Sequence, residues 1–401
     1  MKRVIIFLWA VLILFISVAC SSQPAFEAVN VSSYVVDGNN QFAFDIFRTL
    51  NTEDTKNNIF ISPLSISSAL AMTYNGAEGF TKEAMEKTLG FEGIDRALVN
   101  DSFKNMFAHL EKLDKKIDLN IGNSIWIRDG FSINKDFIKN NEKKFKARVS
   151  SLDFSNPASL EIINKWIREE TKGKIEKMID SSNPSSALMY LINAIYFNGK
   201  WSNQFDPKNT RNWIFHSYDG TEQTVDMMSR KGEYEFTKGD DFKAIRLPYG
   251  NGKTSMNIIL PDEGVDINEF ISRFDRKEWY TIRSSLKETE DIEVKIPKFS
   301  MEYGIKNLND SLITLGMEVA FSGHADFSGI SNGLFISSVI HKAVIEVNEE
   351  GSKAAAATVV EMTSSAILKD PVIFIADRPF IFLITEDITG SILFMGKVLN
   401  I

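Results

Sequence analysis

The residues that could act as nucleophiles, general bases or metal ligands are few and widely separated in this sequence. Four histidines stand singly, and Cys20 is the one cysteine; the histidines are His109, His216, His324 and His341. A hydrolase with a serine or cysteine nucleophile needs a base within hydrogen-bond reach, and we expect no Gly-x-Ser-x-Gly nucleophile elbow. The histidines also lack the His-x-x-x-His spacing of many metal sites. The sequence therefore predicts no enzyme, no metal and no cofactor, although paired carboxylates on distant loops, as in glycosidases, stay open.

The overall charge of the chain argues against nucleic acid as a partner. The 401 residues are 44% hydrophobic and 24% charged, which is ordinary for a globular protein. Their formal charge is −8 and the pI is near 5.3, whereas nucleic acid favours a basic face. Lys112, Lys115 and Lys116 could bind a polyanion. Because Glu111 and Asp114 lie among them, a solvated helix face is the preferred interpretation.

The N-terminus has the pattern of an exported protein. A basic start, Met1-Lys2-Arg3, precedes an almost wholly apolar run over residues 4–18, shorter than the about 20 residues of a membrane-spanning helix. Residues 1–19 are therefore predicted to be a signal peptide. Cys20 follows small residues in a pattern similar to a bacterial lipobox, which implies a lipidated Cys20 and a polar tether over residues 20–40. A secreted soluble protein with an incidental cysteine is the alternative.

A connection near the C-terminus combines great length with the side-chain pattern of a strand. It joins two predicted strands and is more than about twenty residues long, well above the median of about 4 to 6. A helix is one interpretation, because four consecutive alanines, residues 354–357, have the best helix propensity. As a strand, however, the even positions from Ser352 to Met362 are all small or apolar, and the odd positions carry Lys353 and Glu361. One face of this segment could be buried in a sheet while the other stays in solvent.

The rest of the chain alternates helices and strands in the manner of one intermixed α+β domain. Helices are predicted at 42–50, 65–74, 81–89, 100–113, 158–179 and 267–274, and strands at 59–61, 119–127, 188–197, 242–249, 254–260, 291–299, 342–347, 372–375 and 380–384. Asn251-Gly252 is predicted to be a hairpin turn rather than part of a phosphate loop, because a strand follows it. The predicted domain spans residues 41–401.

Five motifs, in the same order as in the family, resemble the serpins, and the resemblance covers the chain from about Phe42 to Ile401. The motifs are the strand-to-helix entry at 58–66 (NIFISPLSI), the central strand at 193–201 (NAIYFNGKW), the hinge at 349–352 (EEGS), the closing segment at 377–380 (DRPF) and the C-terminal strand at 394–398 (FMGKV). The resemblance implies the α+β serpin fold. This fold is a single domain with three β-sheets, about nine helices and an exposed reactive-centre loop, here at about 349–371, which inserts into the largest sheet.

The resemblance also implies roles for particular residues. A polar cluster under the sheet, the shutter, would consist of Ser62, Ser65, Asn193 and His341. The breach, where insertion starts, would consist of Trp201, Lys298 and Glu349, with an ion pair between the last two. The hinge would comprise Glu349, Glu350, Gly351, Ser352, Ala354, Ala355, Ala356, Ala357 and Thr358. Lys353 replaces the acidic residue that is usual in the family, but it lies at an outward position, so we expect little loss of inhibition.

The activity that the resemblance implies is inhibition of serine proteases by a suicide substrate. The protease cleaves the loop, is trapped as an acyl-enzyme, and is distorted as the loop inserts. Aligning Gly351 and Pro379 with the hinge glycine and the closing proline of the family places the cleaved bond between Ser365 and Ala366. A small residue before the bond suits elastase-like or subtilisin-like proteases. The alternatives are Met362, Leu368 and Lys369, of which the last implies trypsin-like targets.

The competing hypothesis is a non-inhibitory serpin that acts as a binding or chaperone-like module. The partner that we expect is an extracellular serine protease, and we expect a monomer. The location would be the outer side of the cell membrane, through a lipid on Cys20, or the medium after secretion.

Overall fold

The helices form where apolar residues repeat at helical spacing, mainly in the first half of the chain. The computed structural model describes residues 29–180, 186–351 and 372–401. Within them the helices are α1 (Ser33–Glu53), α2 (Pro63–Tyr74), α3 (Gly79–Leu89), α4 (Arg96–Leu113), α5 (Lys135–Phe145), α6 (Pro157–Glu170), α7 (Ile267–Arg273), α8 (Arg276–Ser285) and α9 (Asn309–Leu312), with short helical turns at Pro207–Asn209, Ile313–Met317 and Glu318–Phe321. No helix in these ranges is long and apolar enough to cross a bilayer.

The strands are concentrated in the second half, and the predicted α+β class is confirmed. They are β1 (Ile59–Ile61), β2 (Ile117–Arg128), β3 (Arg148–Leu152), β4 (Met189–Gly199), β5 (Arg211–His216), β6 (Glu222–Lys238), β7 (Phe242–Tyr249), β8 (Thr254–Pro261), β9 (Lys287–Pro297), β10 (Phe299–Glu302), β11 (Lys306–Asn307), β12 (Ser338–Val347), β13 (Ile373–Ile375), β14 (Phe380–Glu386) and β15 (Ser391–Val398). Asn251-Gly252 lies in the hairpin between the antiparallel strands β7 and β8, as the sequence predicts.

The described strands form two hydrogen-bonded sheets. The larger has nine strands in the order β1-β15-β14-β8-β7-β6-β9-β13, with β5 beside β6; the smaller has six in the order β10-β12-β4-β2-β3, with β11 beside β12. Three sheets were expected. The count differs because the long strand β6 pairs with β5 near its start and with β7 near its end, so two of the expected sheets share one continuous ladder.

The centre of the six-stranded sheet is buried on both faces, and its central strand β4 shows why. Leu191 and Ile195 contact the main core, where α2 packs on β4, whereas Tyr190 and Ile192 contact a second apolar cluster that includes Trp166 of α6. Alternate side chains of a strand point to opposite faces, so a continuous apolar run serves two cores at once. The same alternation sends Asn193, an odd position, to the α2 side.

The first helix begins earlier than the sequence predicts. Helix α1 starts at Ser33, and Val35 and Val36 are buried. Asn40 is also buried, where its amide donates to Gly390 O (2.9 Å) and accepts from the Ile392 N–H (3.0 Å). Residues 33–40 therefore belong to the domain and not to the predicted tether. The polar residues that suggested a tether make specific buried hydrogen bonds.

Helix α6 is shorter than the predicted helix at 158–179. It ends at Glu170, because Lys172 and Gly173 adopt left-handed backbone angles, φ 50° and 77°. The lysines at 172, 174 and 177 therefore do not form the basic last turn of a helix. Lys172 instead pairs with Asp118 (2.7 Å) on β2.

Lys397 on β15 is a buried cation that ties two helices to the nine-stranded sheet. Its Nζ donates to Asn51 Oδ1 (2.8 Å) at the end of α1, to Asp54 O (2.8 Å) and to Asn268 Oδ1 (3.1 Å) on α7. Burial lowers the pKa of the Lys397 amine to about 8. Three acceptors around one ammonium satisfy all of its donors without a carboxylate contact.

Candidate functional site

A row of polar side chains crosses the middle of the otherwise apolar six-stranded sheet. Asn193 on β4 lies directly opposite Asn123 on β2 and His341 on β12 in the strand registers. All three side chains are at most 2% exposed. Buried polar groups are costly unless they are hydrogen-bonded, so the row is stable only if its members satisfy one another.

Hydrogen bonds within the row fix the protonation state of His341. The Asn193 amide donates to Asn123 Oδ1 (2.7 Å) and to Ser65 Oγ, which leaves its Oδ1 to accept from His341 Nδ1 (2.6 Å). His341 Nε2 then accepts from the Ser62 N–H (3.2 Å). This pattern requires the neutral Nδ1–H tautomer. Burial lowers the pKa of His341 to about 3, which agrees with a neutral ring.

Serines at the start of α2 connect this row to the helix beneath the sheet. Ser62 is the N-cap: its Oγ accepts from the Ser65 N–H (3.3 Å) and donates to Leu393 O (2.7 Å), and Pro63 occupies the first helical position. Ser68 accepts from Asn123 (2.8 Å) and donates to Ser65 O (2.7 Å). The small serine side chains allow α2 to approach β4 closely.

The predicted shutter residues, Ser62, Ser65, Asn193 and His341, are therefore brought together in one network. Asn123 and Ser68 also belong to it, and the sequence analysis missed both. Asn123 could have been found because it is a polar residue in the predicted strand 119–127 and lies opposite Asn193 if that strand pairs with β4. The network joins β4 to β12 through one side-chain bond, so these strands cannot separate without breaking it.

The ladder between β4 and β12 ends before the strands do. Parallel pairing runs from Ser338/Tyr190 to Val344/Tyr196, and no pairing joins the last residues of the two strands, 345–347 and 197–199. Beyond β12 the chain reverses in a turn in which Asn348 and Gly351 exchange backbone hydrogen bonds (2.8 and 3.1 Å). Gly351 then forms an antiparallel bridge with Lys200, just after β4. The chain thus leaves the turn antiparallel to β4, at the end where β4 and β12 diverge.

The residues predicted to form the breach surround this turn. Trp201 Nε1 donates to Asn348 O (2.9 Å), and the Trp201 N–H donates to Glu350 O (2.9 Å). Lys298 lies 3.4 Å from Glu349 Oε2, so the expected pair is within ion-pair distance; Lys298 also lies 3.8 Å from Asp226. The three predicted residues are thus in one place.

Glu349 is held by more than the lysine. Thr210 donates to its carboxylate (2.8 Å), and the Phe205 N–H donates to its backbone oxygen (2.8 Å). Burial alone would raise the pKa of the Glu349 carboxyl. The hydrogen bonds from its own backbone and from Thr210, together with the Lys298 cation, outweigh burial and lower this pKa. Sequence reasoning missed Phe205 and Thr210, which no motif marks.

Gly351 cannot be replaced without moving the backbone. Its φ is 127°, and a Cβ atom at this position would lie 2.1 Å from Gly199 O and 2.6 Å from Lys200 Cα. A glycine is therefore required both by conformation and by close approach. The start of the hinge is packed directly against the end of β4.

Several predicted residues lie outside the described ranges. They are Cys20, the hinge residues Ser352, Ala354, Ala355, Ala356, Ala357 and Thr358, and the predicted bond Ser365–Ala366 with its alternatives Met362, Leu368 and Lys369. Glu350, a hinge residue within the described ranges, lies in the turn, where its N–H donates to Asn348 Oδ1 (3.1 Å).

The expectation that the sequence holds no Gly-x-Ser-x-Gly motif was wrong. A Gly-x-Ser-x-Gly string does occur, at Gly329–Gly333. It lies in turns before β12 and does not join a strand to a helix, so it lacks the geometry of a nucleophile elbow. Within residues 29–180, 186–351 and 372–401 there is no cluster of three or more histidine, cysteine or acidic side chains able to hold a metal ion.

Comparison with known proteins identifies what this arrangement is similar to. A family model described as Serpin (serine protease inhibitor) matches residues 37–401. Leukocyte elastase inhibitor of Bos taurus is 35% identical over 374 residues, which is 90% of this chain and 97% of that protein. The crystal structure of the thermophilic serpin tengpin in the native state has a TM-score of 0.84 at 32% identity and covers 92% of this chain and 95% of that one. Human thyroxine-binding globulin in complex with its ligand also has a TM-score of 0.84, at 31% identity, with 92% and 99% covered.

Proposed function

The chain belongs to the serpin family, and from this premise we propose that it inhibits serine proteases of elastase-like or subtilisin-like specificity as a suicide substrate. The protease cleaves the loop at Ser365–Ala366 and is held as an acyl-enzyme. The loop then enters the six-stranded sheet between β4 and β12. The protein itself performs no catalysis, since the serine that forms the covalent bond is that of the protease.

The observation that carries this proposal is the polarity of the strands around the expected insertion point. Strands β2 and β4 are antiparallel, and so are β10 and β12, but β4 and β12 are parallel to each other. One extra strand between β4 and β12, antiparallel to both, would make all of these neighbouring pairs antiparallel. The hinge leaves the turn at Gly351 in the direction that this strand needs, because Gly351 bridges Lys200 in the antiparallel sense.

The energy available from insertion is large enough for the proposed work. One parallel ladder is exchanged for two antiparallel ladders, which are slightly more stable per residue. A net gain of about ten backbone hydrogen bonds, at about 0.5 to 1.5 kcal/mol each, amounts to about 5 to 15 kcal/mol. This is comparable with the whole stability of a domain, so insertion could distort a trapped protease.

The alternative function is that of a non-inhibitory binding or chaperone-like module. The likeness to thyroxine-binding globulin, whose name and ligand describe a binding protein, keeps this alternative open. The loop composition favours inhibition, because residues at even positions from Ser352 to Met362 are small or apolar and carry no charge that insertion would bury. Cleavage after Lys369 would instead give an inhibitor of trypsin-like proteases.

The proposed setting is extracellular. The apolar run over 4–18 and the lipobox-like Cys20 support export and attachment to the outer side of the membrane by a lipid, with secretion as the alternative. We propose that the protein acts there as a monomer on extracellular proteases.

The test is a titration against a pancreatic elastase and against a subtilisin, followed by a denaturing gel. We expect a band at the summed mass of the two proteins that survives denaturation. Protease whose active-site serine has been blocked with a sulfonyl fluoride is the control, and it should give no such band. Cleavage of the loop by all proteases without any stable complex would contradict the proposal, and mass spectrometry of the released peptide would locate the bond.

A further inference from the structure

One face of the nine-stranded sheet carries a concentration of positive charge that is unusual for this acidic chain. Alternate residues of three neighbouring strands line a groove of about 500 Å³ there, with Arg211 and Trp213 on β5, Ser229 and Lys231 on β6, and Glu293 and Lys295 on β9. Arg230 also lines the groove, although it is not one of the alternate residues. Between Met228 and Tyr234, strand β6 pairs with β9 only, so the other edge of β6 is open at Arg230. We call Arg211, Trp213, Arg230, Lys231 and Lys295 the basic face.

The two lysines of the basic face have acidic partners and the two arginines do not. Lys231 lies 3.4 Å from Asp291, and Lys295 lies 3.2 Å from Glu293. Arg211 donates to the backbone oxygens of residues 208 and 210. Arg230 donates to that of residue 203, and its guanidinium carbon lies over the Tyr234 ring, 5.8 Å from the ring centre. Neither guanidinium is within ion-pair distance of a carboxylate in the described parts of the chain. Two guanidinium groups therefore remain available for carboxylates, which they bind in a bidentate manner.

Apolar side chains lie among these charges. Trp213 is 36% exposed, and Lys295 Nζ lies 4.8 Å from the centre of its ring. Ile373 on β13 pairs with Glu293, so it shares the face, and it is 40% exposed. An aromatic ring and an aliphatic side chain beside arginines that lack a carboxylate partner are typical of protein interfaces, which are enriched in aromatic residues and arginine.

The basic face lies within reach of a protease that attacks the proposed bond. Ile373 is seven positions beyond Ala366, and seven extended residues span at most about 25 Å. A protease of about 200 residues has a radius of gyration of about 16 Å and is therefore about 40 Å across. The distance from the cleaved bond to Ile373 is therefore smaller than the diameter of a protease bound at that bond.

We propose that the basic face is a second contact surface for the target protease, which accepts an acidic surface segment of it through Arg211 and Arg230, with Trp213 as the apolar contact. This inference rests on the proposed inhibitory function. The face steers the encounter and raises the rate of association, because charges of opposite sign act before contact. The target is thereby narrowed to proteases with acidic residues beside the active-site cleft.

An acidic polypeptide fits this face better than a sulfated polysaccharide does. Only two cations of the basic face lack a carboxylate partner among the described residues, whereas a sulfated polysaccharide gains most of its affinity by neutralising many charges along its length. The exposed apolar surface of Trp213 and Ile373 would add nothing to the binding of a sulfated sugar chain, but it would be buried by a protein segment.

The first experiment measures binding of a fluorescein-labelled oligoglutamate peptide by anisotropy at about 50 mM and about 500 mM salt. We expect binding that weakens with salt, and a loss of about ten-fold in the double variant Arg211→Glu/Arg230→Glu. Lys231→Glu, an exposed substitution that disturbs only Asp291, should weaken binding in the same direction. Lys139→Glu/Lys143→Glu on α5 changes the net charge equally at exposed sites elsewhere and should leave binding unchanged.

The second experiment measures the association rate with every protease that forms the stable complex. We expect the double variant to associate about ten-fold more slowly at low salt, with an unchanged yield of complex. The proposal is overturned if the double variant and the α5 control bind the peptide equally well. It is also overturned if a heparin-type polysaccharide binds through Arg211 and Arg230 while the peptide does not. Unchanged association rates for all trapped proteases would also overturn it. If no protease is trapped, the proposed inhibition fails, and the peptide experiment still decides whether the basic face binds acidic polypeptide.

Discussion

Replacing His341 with alanine should destabilise the protein through the network that holds β4 and β12 together. The substitution removes the donor to Asn193 Oδ1 (2.6 Å) and the acceptor for the Ser62 N–H (3.2 Å), and both partners are buried. A buried polar group left without a partner costs about 1 to 3 kcal/mol. Two such groups, with a cavity in addition, give an expected loss of about 4 kcal/mol in the free energy of unfolding at pH 7.5.

The pH dependence of this loss has a definite sign. The folded pKa of His341 is lowered to about 3, whereas the unfolded pKa is about 6.5. Between these values the unfolded chain binds a proton that the folded chain does not, so His341 contributes stability that is full above pH 6.5 and falls as the pH drops. The contribution should fall by about 2 kcal/mol between pH 6.5 and pH 5. The cost of His341→Ala should therefore shrink on acidification.

Denaturant unfolding at pH 7.5 and pH 5 measures both effects. His324→Ala is the matched control, since His324 is exposed and its replacement should change stability by less than about 0.5 kcal/mol. A double-mutant cycle with Asn193→Ala isolates the bond between the two side chains. A cost that is the same at both pH values, or equal to that of the control, would refute the network as described.

Three further predictions follow from contacts around the sheet and from the loop pattern. In denaturant unfolding, Gly351→Ala should cost about 1 kcal/mol or more beyond the cost of Gly333→Ala. Both glycines have positive φ, but of the two only a Cβ at Gly351 meets backbone atoms within 3 Å. Equal costs would argue against that packing. Lys397→Met should lower the free energy of unfolding by about 3 kcal/mol, since the buried Asn51 Oδ1 and the partly buried Asp54 O and Asn268 Oδ1 lose their donor. A neutral effect would show that water replaces the amine. Ala356→Glu should convert the inhibitor into a substrate, because position 356 lies on the face of the loop strand that insertion would bury. Ala357→Glu, on the solvent face, should still form the stable complex on a denaturing gel. Retention of the complex by both variants would refute this assignment of even and odd positions to the two faces.

The sequence predicted helices and strands well where the hydrophobic periodicity and the turn signals agree. Strand β7, for example, was predicted at 242–249, the range that it occupies, because alternating apolar residues end at a turn signal. The start of α1 and the end of α6 were missed for opposite reasons. Val35 and Val36 are buried although polar residues flank them in the sequence, and Lys172 takes a left-handed conformation that is uncommon for a residue other than glycine or asparagine.

The candidate site was only partly predictable because it depends on register. Asn123 becomes part of the network only when β2 pairs with β4 at one particular offset, and a shift by one residue would send its side chain to the other face. Thr210 reaches Glu349 from a segment far away in sequence, and no local pattern marks it. The family resemblance pointed to His341 and Asn193, whereas the hydrogen bonds that define their roles required the structure.

The central claim is that the cleaved loop becomes a strand between β4 and β12. The most direct measurement compares the thermal unfolding of the intact protein with that of the protein whose loop has been cut by a protease that it does not trap. The account predicts a gain of about 5 to 15 kcal/mol on cleavage, which corresponds to a rise of about 7 to 20 °C in Tm for a domain of this length. A cleaved protein that unfolds at the same temperature as the intact one, or at a lower temperature, would contradict insertion.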